Sequence, residues 1–365
     1  MEKLENRETT NTSMVVSEKT RKKNERIIYF DILNIIACIS VILLHCNGIV
    51  HTYSTARAWK TSLVVEVVCF WAVPVFLMLT GATLMRYRER YDTKTFFKKR
   101  VLKVVIPFIF WSIFMIICKN AIGELQVKDW SIREILNIIT LNQQESTYYF
   151  MFIIIGVYLT LPILSILSDE KYRKILWYIV VGMFITKSCL PLIFNVLEIT
   201  YNNYLSILFD SYIIFVILGY LISTMKINKK HRYIIYAMGI GACIFRYGVT
   251  YYLSTRDGVV NRLLFDYIQF HSVFLAVAVF VFIKNIQWDK IFKTSESRYI
   301  LTQISSCSFG IYLIHKLVMH YEIKLVVADI YSIKWRIGGA ILTYIVCLCI
   351  VYVLKKIPIL KKIVP

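Results

Sequence analysis

The sequence predicts an all-α fold, a polytopic integral membrane bundle of about ten transmembrane helices with both termini cytoplasmic. Three observations predict it. Hydrophobic residues make up 58% of the 365 and come in runs long enough to cross hydrocarbon as helices. Charged residues are 18%, below the level of about 25% usual in a soluble domain. The 43 Lys and Arg, against 23 Asp and Glu, gather on alternate connectors between the apolar runs. On a soluble chain a net charge of +20 would suggest nucleic acid. Here the positive-inside rule accounts for it, no nucleic-acid motif occurs, and no nucleic-acid partner is expected.

The expected spans, in order, are 27–50, 61–85, 101–120, 148–167, 175–194, 206–225, 233–253, 265–284, 302–320 and 335–354. The fifth is interrupted by Lys187 and Pro191, both unfavourable inside a spanning helix. Residues 1–26 are polar and are expected to form a loose cytoplasmic tail. They are not a cleavable signal peptide, because the apolar segment that follows is too long and no small-residue cleavage site closes it. Residues 27–354 form one membrane domain and 355–365 a basic cytoplasmic tail. The basic connectors are those around Arg26, Arg86–Arg100, Lys171–Lys174, Lys226–Arg232, Lys284–Arg298 and Lys355–Lys362. The connectors near 51–60, 121–147, 195–205, 254–264 and 321–334 are poor in Lys and Arg. The alternation holds along the whole chain and requires an even number of spans. The largest outer connector, from Glu124 to Glu145, has room for a short amphipathic helix. Nine cysteines are scattered, mostly within apolar runs, without CxxC spacing. They read as small apolar residues, and neither a disulfide framework nor a metal site is expected.

The first span carries polar groups on one face. Asp31, Asn34, Cys38, Val41 and His45 are spaced by three, four, three and four positions, the period of a helix face. Asn34 and His45 are roughly 16 Å apart along that helix. The alternation of connectors puts Asp31 and Asn34 near the cytoplasm and His45 in the outer half. Glu66 falls in the outer half of the second span, with Thr80 near its cytoplasmic end. Ser305, Ser308, Tyr312 and His315 share a face of the ninth, His315 outermost. An ionisable group at such depth is either paired between helices or functional. For His45 and His315 both readings stand: an interhelical hydrogen bond, or proton transfer. Glu66 is either an orienting or acceptor-binding carboxylate or an interfacial one without a role.

Several stretches together carry a resemblance. They are Asp31-Ile32-Leu33-Asn34-Ile35-Ile36-Ala37 with His45; Val73-Pro74-Val75-Phe76 with Thr80-Gly81; and Phe97-Lys98-Lys99-Arg100 leading to Lys103 and Pro107. Further along come Tyr149-Phe150 with Gly156-Val157-Tyr158-Leu159 and Pro162; Phe215-Val216-Ile217-Leu218-Gly219-Tyr220; and Gly310-Ile311-Tyr312-Leu313-Ile314-His315. In this order they resemble the membrane acyltransferase-3 family of multi-spanning O-acyltransferases over nearly the full chain. The resemblance implies transfer of an acetyl or short acyl group from acyl-CoA to a hydroxyl of a cell-surface or capsular carbohydrate, in the plasma membrane and without a metal. It implies His45 as general base, assisted by Glu66 and His315, since O-acylation needs a base near neutral pKa. Asn34, Arg100 and Lys103 would hold the donor, Asp31 would pair with Arg26 or Arg100 at its mouth, and Thr80, Tyr312 and His315 would line the cavity. Three positions depart from the family. Its arginine is Asn34 here, which can hydrogen-bond but supplies no charge; its serine is Thr80 and its tryptophan Tyr149. The other reading of the same polar faces is a transporter or flippase of a glycan or lipid-linked precursor, without chemistry.

Overall fold

The computed structural model describes residues 26–202, 205, 211–325 and 329–365, and among them every regular element is a helix. The expected tail 1–26, apart from Arg26, and the start of the sixth span lie outside the described residues. Helix α1 is Ile28–Cys46. Helices α2 (Arg57–Cys69) and α3 (Ala72–Leu84) are one span broken at Phe70–Trp71, because Pro74 has no N–H to continue the ladder. Helix α4 (Thr93–Arg100) passes through a π-turn at Val101–Val105 into α5 (Ile106–Ala121), the wide turn absorbing Pro107. The outer connector holds α6 (Ile132–Thr140), whose Ser131 hydroxyl accepts from the Glu134 N–H at 3.2 Å in a Ser-x-x-Glu cap.

Helix α7 is Tyr149–Leu164. The interrupted fifth span is helical throughout: α8 (Arg173–Met183) widens into a π-turn at Phe184–Cys189 ahead of Pro191 and continues as α9 (Leu190–Val196). Then follow α10 (Ile213–Thr224), α11 (Lys229–Asp257), α12 (Phe270–Lys284), the short α13 (Trp288–Ile291), α14 (Ser295–Leu325) and α15 (Ala340–Lys356).

Among the described residues 7 helices are long and apolar enough to span a bilayer, so the chain is a multi-pass membrane protein. The other three expected spans are also helices. Two, α10 and α12, are shorter apolar helices, and α14 is 31 residues long but rich in serine, histidine and lysine.

Three packing features position the site. Helices α3 and α10 touch backbone to backbone: an added Cβ at Gly81 would lie 1.8 Å from the Val216 oxygen, and one at Gly219 2.0 Å from the Met78 oxygen. Such reciprocal small-residue contact is how membrane helices gain dispersion energy. Second, the basic connectors meet at one end of the bundle. The Lys284 ammonium donates to the Ile222, Ser223 and Met225 carbonyls, and that of Lys355 to the Ser306 carbonyl. Third, the segment expected as a basic cytoplasmic tail, 355–365, folds back onto the bundle at its end. Val364 is fully buried, and Trp111 Nε1 donates to the Ile363 carbonyl at 2.8 Å. Of the segment's apolar residues, Val364 is buried and Ile363 packs half-buried against the core, while Ile357 and Ile359 stay exposed.

Candidate active site

The polar face of α1 opens onto a cavity of about 860 Å³, bounded by α1, α3, the α4–α5 span, α7, α14 and the segment before α12. Asp31, Asn34, His45, Thr80, Arg100, Lys103 and Tyr312 all line it. Along α1 the lining runs from Asp31 to His45, a rise of about 21 Å. The cavity is thus a passage through much of the bundle's thickness, with different chemistry at its two ends.

The end nearest the basic connectors is cationic. Arg26, Arg90, Arg100 and Lys103 surround it. Arg26 is spent on Asp31, donating to both carboxylate oxygens at 2.7–3.1 Å. Of the two expected partners for Asp31, the structure selects Arg26. Among the described residues, Arg90, Arg100 and Lys103 have no carboxylate partner. The Arg90 guanidinium donates to the Thr83 carbonyl at 2.5 Å, and Arg100 lies beside the Phe96 and Tyr158 rings with a buried Nε left unpaired. Asn34 Nδ2 donates to the Ser305 carbonyl at 2.8 Å and hydroxyl at 3.0 Å, tying α1 to α14 about one helical turn in from Asp31. Thr80 donates to the Phe76 carbonyl at 3.0 Å.

The far end is aromatic, and His45 stands in it. Phe76, Tyr149, Phe150, Tyr267 and Tyr312 form its walls. The Tyr312 hydroxyl donates to the Thr147 carbonyl at 2.6 Å and that of Tyr148 to the Leu313 carbonyl at 2.7 Å, closing α14 onto the turn before α7. Glu145 supports that turn by accepting from the Thr147 N–H at 3.2 Å and pairing with Lys119 at 2.9 Å.

The imidazole of His45 stacks on that of His315, with centroids 5.2 Å apart. His315 Nδ1 lies 2.6 Å from the Tyr312 carbonyl. A carbonyl only accepts, so Nδ1 carries the proton and Nε2 is left with a lone pair. Among the described residues no group hydrogen-bonds the His45 ring, which leaves it free for a ligand in the cavity.

The structure does not bring Glu66 or His315 to the cavity wall. His315 is fully buried behind His45 and acts on it by contact. Glu66 is buried in α2 and pairs with Arg246 of α11 at 3.3 Å. A carboxylate at that depth requires a counter-ion, and the pairing uses the side chain that a catalytic role would need. Conversely, Arg90, Tyr267 and Pro365 line the cavity although no sequence signal singled them out for it. They lie in connectors or at the chain end, where no helical period reports a facing surface.

The family model for this acyltransferase domain, acyltransferase-3, matches residues 27–354. No curated protein and no solved structure matches the chain. The matched residues take in every helix that contributes to the cavity, from α1 through α14, and the chain belongs to the acyltransferase-3 family.

Proposed function

We propose that the protein transfers an acetyl or other short acyl group from acyl-CoA to a hydroxyl of a cell-surface carbohydrate, in a plasma membrane whose cytoplasmic side meets the basic end of the bundle. Membership of the acyltransferase-3 family supports acyl transfer. The observation that carries the donor and acceptor is the cavity itself, one passage joining three cations without carboxylate partners to a histidine among aromatic rings. A polyanionic donor fits the first end. Arg100 and Lys103, with Arg90, receive phosphates, as fixed guanidinium and ammonium groups do. Acyl-CoA cannot cross lipid, so its phosphates stay at this mouth while the pantetheine arm and thioester reach inward past Asn34 and Thr80.

At the far end His45 takes the proton of the acceptor hydroxyl as its oxygen attacks the thioester carbonyl carbon. The carbon–sulfur bond breaks, and the thiolate leaves with the proton returned from the imidazolium. His315 positions the His45 ring by stacking, and its own orientation is set by the Tyr312 carbonyl. On this reading all ten expected spans cross the membrane and both termini are cytoplasmic.

The test is purified protein in sealed vesicles of known orientation, with acyl-CoA supplied to one face at a time. Transfer is expected only from the basic face. Equal transfer from the opposite face overturns the donor assignment, and movement of a glycan without acyl-CoA replaces the reading by transport. Arg100→Ala should raise the KM for acyl-CoA about tenfold or more, the scale of losing a charge-assisted phosphate contact. Lys98→Ala should do little, because an exposed charge is screened. An unchanged donor KM in correctly inserted Arg100→Ala protein removes that role.

Asn34→Arg is expected to remain inserted and active with a lower donor KM. The longer side chain enters the open cavity and still donates towards Ser305. Titration of donor against initial rate checks this. An inserted but inactive variant shows that the passage is built around a neutral residue at this position.

A further inference from the structure

Arg246 is a cation inside the bundle that touches neither solvent nor the cavity. It lies midway along α11 and is 1% exposed. Its Nε donates to the Leu264 carbonyl at 2.8 Å, its Nη1 to the Glu66 carbonyl at 3.2 Å, and its Nη2 to Glu66 Oε1 at 3.3 Å. Its guanidinium sits 3.5 Å from the centroid of the Phe70 ring. Phe70 in turn stacks on Tyr267, with centroids 4.2 Å apart and planes at 20°. Tyr267 lines the cavity. The chain of contact runs from cation to ring to ring, and only its last member reaches the reaction space.

Two of these contacts hold the connector between α11 and α12. The bond to Leu264 fixes its backbone three positions before Tyr267, and the stack fixes the Tyr267 ring. Within the connector, Gln269 donates to the Leu263 carbonyl at 2.7 Å and the Ile268 N–H to Asp266 at 3.0 Å, so it behaves as one piece. It lies at the His45 end of the cavity. Phe265 is 6.2 Å from the His51 ring, just beyond α1, whereas Tyr29 at the other end of α1 packs on Phe280 deep in α12. The walls here are Phe76, Tyr149, Phe150, Tyr267 and Tyr312, without the cations of the other mouth. Aromatic faces with a few hydroxyls suit a neutral, hydroxyl-bearing ring better than a phosphate.

A positive-inside role does not explain Arg246, which is buried rather than at a connector. A simple stabilising role is a weak explanation, because a buried ion pair breaks even at best against apolar packing. What a rigid planar cation supplies here is orientation: three directed bonds and a flat face in one group.

We propose that Arg246 is a positioning residue for the acceptor, holding the Tyr267 ring, through Phe70, as the surface on which a sugar ring docks beside His45. The inference rests on the acyl-transfer reading above. Glu66 then serves as the counter-ion that orients Arg246.

The test uses the full chain in lipid nanodiscs, with acetyl-CoA as donor and, as acceptor, surface glycan extracted from a host strain lacking the gene. Arg246→Gln should raise the acceptor KM about tenfold or more while leaving the acetyl-CoA KM unchanged, since small misplacements near the reacting atoms are costly. Tyr267→Leu should do the same, and the double variant should be no worse than either single one, because both act through one ring. Arg246→Lys keeps the charge opposite Glu66 but loses the planar stack, and should recover only part of the defect. A merely structural Arg246 predicts another pattern: lower yield of folded protein, donor and acceptor KM unchanged or raised together, and additive effects in the double variant. That pattern overturns the proposal.

Amide hydrogen exchange gives a readout that needs no substrate. Residues 262–269 should exchange faster in Arg246→Gln than in wild type or Tyr267→Leu. Unchanged exchange in Arg246→Gln overturns the proposal even if the enzyme is active. If wild-type protein acylates no carbohydrate in this assay, the acyl-transfer reading falls and the acceptor role with it. The exchange result still reports separately whether Arg246 holds the connector.

Discussion

Replacing His45 with alanine is expected to lower turnover roughly 10²–10⁴-fold while the protein stays in the membrane at its usual level, the loss typical of a missing general base. Among the described residues His45 is free of hydrogen bonds, lines the cavity, and is backed by the His315 ring at 5.2 Å. Removing it leaves the passage and its cationic mouth in place, so the donor KM should hardly move while kcat falls. His45→Gln is the sharper variant. It keeps a hydrogen-bonding side chain of similar reach but no basicity, and should lose nearly as much as alanine. His315→Gln should cost less than either, because that ring reaches the reaction only by its stack on His45. The measurement is single-turnover transfer by purified protein whose thermal unfolding matches wild type. Near-normal turnover in well-folded His45→Ala or His45→Gln protein removes His45 from the chemistry.

The second large effect is on folding. Gly219→Leu is expected to abolish the stable bundle, and Gly219→Ala to lower its melting temperature clearly. The obstacle is already present in a methyl group: a Cβ at Gly219 would meet the Met78 backbone oxygen at 2.0 Å, and on the facing helix a Cβ at Gly81 would meet Val216 at 1.8 Å. No flexible side chain is available to yield, so α3 and α10 must separate. Overpacking a well-packed core commonly costs roughly 1–3 kcal/mol, and a backbone clash on both helices belongs at the upper end or beyond. Separation also moves α3, which carries Val73, Phe76, Leu79 and Thr80 of the cavity wall. Gly156→Ala on α7 is the control. Open space surrounds that glycine, so alanine should be neutral or slightly stabilising through its better helix propensity. The comparison is thermal unfolding of detergent-solubilised protein followed by size exclusion. Wild-type stability in Gly219→Ala would show that the two helices are not locked at this contact.

The polar face of α1 was legible as a period. Asp31, Asn34 and His45 recur at helical spacing, and the structure puts all three on the cavity wall. The basic run at Arg100 and Lys103 was legible as charge next to a span, and both side chains reach the cationic mouth. Lys187 and Pro191 misled in the opposite direction. They signalled an interruption, yet the helix persists because a π-turn absorbs the missing N–H. The 355–365 segment read as a tail by its lysines, while its last apolar pair, Ile363 and Val364, packs against the bundle. Glu66 read as an orienting or acceptor-binding carboxylate because its partner Arg246 is far along the chain, in a helix with no other feature to mark it.

What the sequence by itself determined are properties carried by local physics. Hydrocarbon offers no partner for backbone N–H and C=O groups, so an apolar run must bond within itself, and run length and connector charge report the helices and the basic side. Helical period then reports which residues of one helix face the same way. Only the tertiary structure decided which faces meet. The stack of His45 on His315, the bond from Asn34 to Ser305, the pairing of Glu66 with Arg246 and the entry of Tyr267 into the cavity each join residues distant in the chain. Those choices rest on shape and on the match of single polar groups between helices. In lipid every apolar helix face competes on nearly equal terms, so hydropathy leaves no trace of the choice.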